Sequence, residues 1–283
     1  MNNKLFTKPI HLEQVSKNHP FKIYCLGLIK QNFGSISQRE IARRLKIGKT
    51  TVNNWSRELG LFFKKHTVNE NFFKKWSKEM AYILGYIAAD GNIAWDTKKT
   101  YNSLTITASH KDKEHLERSR KVMDSSKPLL YGTSTNSYRL IVANKVVCQD
   151  LMNLGIKPKK SLSLRFPKVP KKYLPHFIRG VIDGDGTVRY FKRPRSPYFE
   201  IVIVSGSLSF IRGLRKNILS ATRIDSNITG IPNRYFLRYS CTRGINLARW
   251  VYKDATLYLE RKYNNYKEAI NVKKKGRKPF GKE

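Results

Sequence analysis

One short pattern occurs twice in the chain, as Ile83-Leu84-Gly85-Tyr86-Ile87-Ala88-Ala89-Asp90-Gly91 and as Ile178-Arg179-Gly180-Val181-Ile182-Asp183-Gly184-Asp185-Gly186. Each copy reads as an apolar helix with small residues four positions apart, Gly85 and Ala89 in the first and Gly180 and Gly184 in the second. A face of that kind lets another backbone come close, so the two helices are expected to pack on each other there. Each helix then stops at Asp-Gly, the glycine suiting the left-handed position that ends many helices. This leaves a carboxylate at the negative end of each helix dipole, where it is disfavoured by about 0.3–1 kcal/mol. One such aspartate reads equally well as a core helix followed by a turn. Two at the same point of a repeat call for something positive between them, and a divalent cation is the natural candidate.

The repeat continues downstream. An alternating run, Ser103 to Ser109, follows the first motif and Phe199 to Ser205 follows the second, with the closing serines nearly equidistant from the two aspartates. Helical patterns come next, with Leu116 and Val122 in one and Phe210, Leu214 and Ile218 in the other; then Tyr138 to Val142 is answered by Tyr235 to Tyr239. Alternation of this kind marks half-buried strands. The expected fold is α+β, two αββαββα lobes at 77–170 and 171–271 related by a pseudo-two-fold axis between the motif helices. Two four-stranded sheets side by side would form a saddle wide enough for duplex DNA.

With 56 Lys and Arg against 20 Asp and Glu, the formal charge of the 283 residues is +36. Such an excess points to a polyanionic partner, nucleic acid before membrane. The longest apolar run, Ala81 to Ala89, falls short of the about 20 residues that span a bilayer, and no signal peptide is visible. Cys25, Cys148 and Cys241 are widely spaced and odd in number, as expected of reduced thiols in an intracellular compartment, cytoplasm or organelle matrix. No C-x-x-C or H-x-x-x-H suggests a zinc or histidine-metal centre. Basic positions on or beside strands are Lys98, Lys99, Arg139, Arg189, Lys192, Arg193, Arg195, Arg234 and Arg238. They are candidates for phosphate contacts and, where an arginine reaches the major groove, for reading guanine.

The two motifs, their spacing and the lobe pattern resemble a single-chain LAGLIDADG homing endonuclease, from about Ser77 to Ile270. The first copy departs from the family string at Tyr86 and Ala88 and the second at Arg179, while the glycine, small-residue and terminal Asp-Gly positions hold. The resemblance implies a site-specific enzyme of intron homing, a mobile-element function, that hydrolyses both strands of a long asymmetric duplex target as a monomer. It implies Mg2+, with Mn2+ as a substitute, held by Asp90 and Asp185 and by the carbonyls of Ala89 and Gly184. It further implies that Gly85, Ala89, Gly180 and Gly184 form the lobe interface. A basic residue of each lobe should reach the site, and by position Lys160 and Lys262 match, with Lys159 a rival for the first. Such a cation would stabilise the negative charge that develops as water attacks phosphorus. Alternatives from other classes are a maturase acting on host intron RNA and a catalytically silent DNA-binding regulator.

Residues 1–63 read as a separate helical module resembling a helix-turn-helix. Ser37 is a candidate N-cap with Glu40 completing a capping box. After a break at Lys46-Ile47-Gly48, a second helix from Lys49 to Leu59 turns Val52, Trp55 and Leu59 inward, with Phe21 to Asn32 as the support helix. Lys46 stands where glycine is common. Lys49, Thr50, Thr51, Asn53, Asn54 and Arg57 are the candidate DNA contacts. Residues 64–76 read as a basic linker, and 272–283 as a basic tail expected to be disordered alone.

Overall fold

The computed structural model describes residues 19–61, 66–95, 102–192 and 197–271. The chain divides into two compact units, Met1–Lys65 and His66–Glu283.

In the first unit the described residues form three helices, α1 (Pro20–Asn32), α2 (Gln38–Leu45) and α3 (Lys49–Glu58). Ser37 Oγ accepts from the Glu40 N–H at 3.2 Å, but the reciprocal half of the expected capping box is replaced. The Glu40 carboxylate turns along the helix to Arg43 and Arg44. Lys46 adopts the left-handed conformation itself, φ 54°, and the Ile47 N–H closes α2 on the Ala42 carbonyl at 3.1 Å. A non-glycine residue can occupy this region at modest cost. Cys25, Ile29, Ile41, Val52 and Trp55 form the core, and Lys22 pairs with Glu58 at 2.8 Å across it.

The second unit holds the repeat. Its first half runs α4 (Lys78–Asp90), β1 (Gly91–Ala94), β2 (Ser103–Ser109), α5 (Lys113–Val122), β3 (Leu130–Gly132), β4 (Ser137–Val142) and α6 (Lys145–Asn153). Its second runs α7 (Leu174–Asp185), β5 (Gly186–Phe191), β6 (Tyr198–Ser205), α8 (Leu208–Thr222), β7 (Ile228–Ile231), β8 (Arg234–Ser240) and α9 (Cys241–Tyr252), followed by α10 (Glu260–Asn271). The sheets are antiparallel with matching orders, β1-β2-β4-β3 and β5-β6-β8-β7. Leu104 and Ile106 face the core from one sheet, and Phe199, Ile201 and Ile203 from the other.

Three expectations need correcting. Ile106 pairs with Gly91 and Ile203 with Gly186, so Ser205 corresponds to Ala108 and not to Ser109. A one-residue offset puts a side chain on the opposite face. Tyr138 and Tyr235 do correspond, since they pair with Ala108 and Ser205. Second, Gly91 and Gly186 are extended, φ −78° and −96°, and not left-handed. Their requirement is space: a Cβ would lie 2.5 Å from Ile87 Cγ2 in one case and 2.5 Å from the Ile182 carbonyl in the other. Third, the compact unit begins at His66 and so includes most of the stretch read as a linker. There Phe73 is buried in the core, the Thr67 N–H bonds Ser126 Oγ at 2.8 Å, and Trp76 stacks on Tyr173.

Helices α4 and α7 meet backbone to backbone. A Cβ on Gly85 would overlap the Phe177 carbonyl, one on Gly180 the Tyr82 carbonyl, and one on Gly184 the Ala89 side chain. Arg179, the departure in the second motif, is fully buried beside this crossing. It donates to the carbonyls of Leu257 at 2.8 Å and Val251 at 2.6 Å, with its guanidinium over the Tyr82 ring, and so ties the two motif helices to α9 and the segment after it.

Candidate functional site

Asp90 and Asp185 are the last residues of α4 and α7, and the close crossing brings the two ends together: a Cβ on Gly184 would sit 3.2 Å from Asp90 Oδ2. Burial lifts the Asp90 carboxyl to about 6, with the Asp185 charge adding to the rise, and burial also lifts Asp185. Two carboxylates held near each other at helix C-termini form a site of concentrated negative charge.

Two buried lysines answer it. Lys160 Nζ donates to the Ala89 carbonyl at 3.1 Å, whereas Lys159 has a left-handed backbone, φ 54°, and an exposed side chain. Lys262 Nζ donates to the carbonyls of Ile182, Asp183 and Gly186, each at 2.7 Å. Each ammonium therefore sits on the end of its own lobe's motif helix. Burial lowers the pKa of both, that of Lys262 to about 8.

The donors at the site are oxygens. Among the described residues no group of three or more His, Cys, Asp or Glu side chains is placed to hold a metal, so any ion here would rest on two carboxylates and backbone carbonyls. That set suits a hard divalent cation. The Ala89 carbonyl, although engaged by Lys160, keeps a second lone pair.

Asp183 is a site residue that the motif pattern did not single out. Its Oδ2 accepts from Tyr82 Oη at 2.7 Å and from the Leu259 N–H at 2.8 Å, fixing the segment that carries Lys262. The first copy has Ala88 at the equivalent place, and this difference between the copies was the available signal. His115 joins the same cluster, 3.0 Å from Tyr82 Oη and 3.1 Å from the Tyr258 carbonyl.

Of the strand cations, Arg139, Arg189, Arg234 and Arg238 are exposed and alternate with buried Leu140, Val188 and Leu237, so they lie on the sheet faces turned from the helices. Arg234 rests on the Phe236 ring. Lys192 pairs with Glu268 of α10 at 2.9 Å. Lys98, Lys99, Arg193 and Arg195 lie outside the described residues, as does the tail. In the first unit Lys49, Thr50, Asn54 and Arg57 are exposed, and Thr51 and Asn53 half-buried. Among the described residues no helix is long and apolar enough to cross a membrane.

No protein-family model matches the chain. An uncharacterized protein of Methanocaldococcus jannaschii is 27% identical over 188 residues, 63% of this chain, and the chain spans 65% of that relative's length. Among solved structures, it resembles the I-LtrWI LAGLIDADG homing endonuclease bound to target DNA, at 14% identity and TM-score 0.47, over 74% of this chain and 92% of that one. It also resembles the LAGLIDADG meganuclease I-CpaMI bound to uncleaved DNA, at 15% identity and TM-score 0.49, over 71% and 92%. A third is I-SmaMI bound to an uncleaved DNA target with calcium ions, at 10% identity and TM-score 0.48, over 71% and 92%.

Proposed function

We propose that this protein is a metal-dependent DNA endonuclease of the LAGLIDADG kind, which cuts both strands of a long asymmetric site as a monomer. The observation that carries the reading is the meeting of Asp90 and Asp185 at the end of the α4–α7 crossing, with a buried lysine on each helix end. A bound Mg2+ would supply polarisation of the scissile phosphate and a more acidic water. Asp90 and Asp185, with the carbonyls of Ala89 and Gly184, would hold it.

The chain's own groups divide the remaining work. All three donors of Lys262 are taken by carbonyls, so it orients the end of α7 and contributes a fixed positive field where charge builds on the phosphoryl oxygens. Lys160 has one carbonyl partner among the described residues, which leaves N–H groups to meet a phosphate oxygen. Arginines on the outward sheet faces would take phosphates and base edges. The first unit reads as a helix-turn-helix that lengthens the footprint through effective concentration. Because the lobes present different residues, the two half-sites should differ.

The test is cleavage of a randomised-site duplex library with Mg2+, comparing native protein with Asp90→Asn and Asp185→Asn. A defined double-strand break that becomes a nick or disappears in either variant is the expected result. Specific binding to DNA or RNA with no cleavage in any of the three proteins would point instead to a regulator or an intron-RNA maturase.

A further inference from the structure

The outward face of the second sheet holds a buried carboxylate beneath two exposed arginines. Arg189 on β5 stands directly opposite Glu200 on β6, and Arg238 on β8 is diagonal to it, opposite Val202. Glu200 Oε1 lies 3.8 Å from Arg189 Nη1, and Oε2 bonds Arg238 Nη1. Tyr198 Oη donates to the same Oε2 at 3.3 Å. The Glu200 side chain is 4% exposed, against 58% for Arg189 and 55% for Arg238. The carboxylate is therefore buried while both arginine side chains stay more than half exposed.

The fold does not require this cluster. Counted along the ladders from the glycine that follows each motif aspartate, the first lobe has Ala94, Ser103 and Ile141 where the second has Arg189, Glu200 and Arg238. The same architecture stands there without an ion. Nor does general affinity for a polyanion explain it, since a carboxylate on a phosphate-facing surface weakens such binding. What a buried carboxylate supplies is orientation. Arg238, hydrogen-bonded to Glu200 at one edge, keeps its other N–H groups free in a fixed plane, and Arg189 is drawn toward the same carboxylate by charge at 3.8 Å. Bidentate recognition of guanine O6 and N7 depends on where such a plane is held.

We propose that Glu200 is a positioning residue that holds Arg189 and Arg238 as a fixed pair for reading guanine in the major groove, in the half of the target covered by the second lobe. This rests on the duplex-cutting reading above. The experiment selects bound and cleaved duplexes from a randomised library with the full-length native protein, Glu200→Gln, Arg189→Ala and Arg238→Ala, and titrates affinity against salt. The native protein should prefer guanine at two positions of one half-site, each arginine variant should lose one of them, and Glu200→Gln should weaken both by roughly 10-fold. Preferences in the other half-site should stay unchanged. Affinity of Glu200→Gln for unrelated DNA should rise, because a negative charge has gone, whereas misfolding would lower both. Retention of both guanine preferences in Glu200→Gln overturns the proposal and leaves the nuclease reading standing. Arginine variants that weaken all sequences alike also overturn it, by making these groups phosphate contacts. A native protein with no preference for any duplex overturns the nuclease reading and this inference with it.

Discussion

His176, in the first turn of α7, accepts a hydrogen bond at Nδ1 from Arg179 Nη1, 2.9 Å away. Lys78 and Glu79 of α4 and Asp254 beyond α9 also act on it, and burial together with the neighbouring guanidinium pulls its pKa down to about 4. The unfolded chain binds this proton near pH 6.5, so between these values the folded state carries fewer protons than the unfolded one. The stability tied to neutral His176 is then complete above about pH 6.5 and is lost as the pH falls toward the folded value. Relative to His176→Gln, which keeps an acceptor for Arg179 without titrating, the native protein should lose on the order of 1–2 kcal/mol between about pH 6.5 and 4.5. Urea titrations at stepped pH measure this, and parallel pH profiles for the two proteins would refute it. The role of Arg179 is of the kind a sequence conceals. That it breaks the motif is plain, but its partners are carbonyls of Val251 and Leu257, more than seventy positions away, and carbonyls carry no sequence signal.

The helix pair shows the two lobes to be unequal in their chemistry. Lys262 closes α7 with three carbonyl bonds and is further fixed by Asp183, which grips the Leu259 N–H. Lys160 holds α4 by one bond to Ala89, and Ala88 supplies no carboxylate. Hydrogen bonds from a charged donor contribute about 1.5–3 kcal/mol each, so Lys262→Met should destabilise the second unit well beyond Lys160→Met in a denaturant titration. Strand-resolved cleavage gels should separate them in the other direction. Lys160→Met should fold and yield nicked product, one strand cut and the other intact. Equal stability losses, or an unchanged double-strand break in Lys160→Met, would contradict the division of labour. Much of this element layout is legible before folding, because small residues four apart permit a close helix crossing and alternation marks the strands. Facing is not. Ser109 and Ser205 look equivalent in sequence, yet the ladder registers set them one residue apart. Lys159 and Lys160 are the same residue type in sequence, and only the fold shows that Lys160 is buried and Lys159 exposed. Glu200 reads as one polar residue in an apolar strand until the pairing places arginines around it.

At the scale of the molecule, the formal charge of +36 makes nonspecific attraction to nucleic acid easy, so specificity has to be distributed over particular contacts. The two units have separate apolar cores, one built on Ile29, Val52 and Trp55 and the other running through both lobes. Removal of residues 1–65 should therefore leave 66–283 folded. If the first unit acts as a second DNA-binding element tethered to the lobes, its loss removes an intramolecular binding step, and affinity for the cleaved target should fall by about 100-fold. The slope of log affinity against log salt should shrink by about 0.9 for each phosphate that is no longer neutralised. The position of the cut should stay where it was, because Asp90, Asp185 and both lysines belong to the remaining unit. Footprinting of the full chain should protect a longer stretch of duplex than the shortened one. A truncated protein that binds and cuts as the full chain does, with the same salt slope, would remove the first unit from DNA recognition and leave its exposed Lys49, Thr50, Asn54 and Arg57 without a nucleic-acid role.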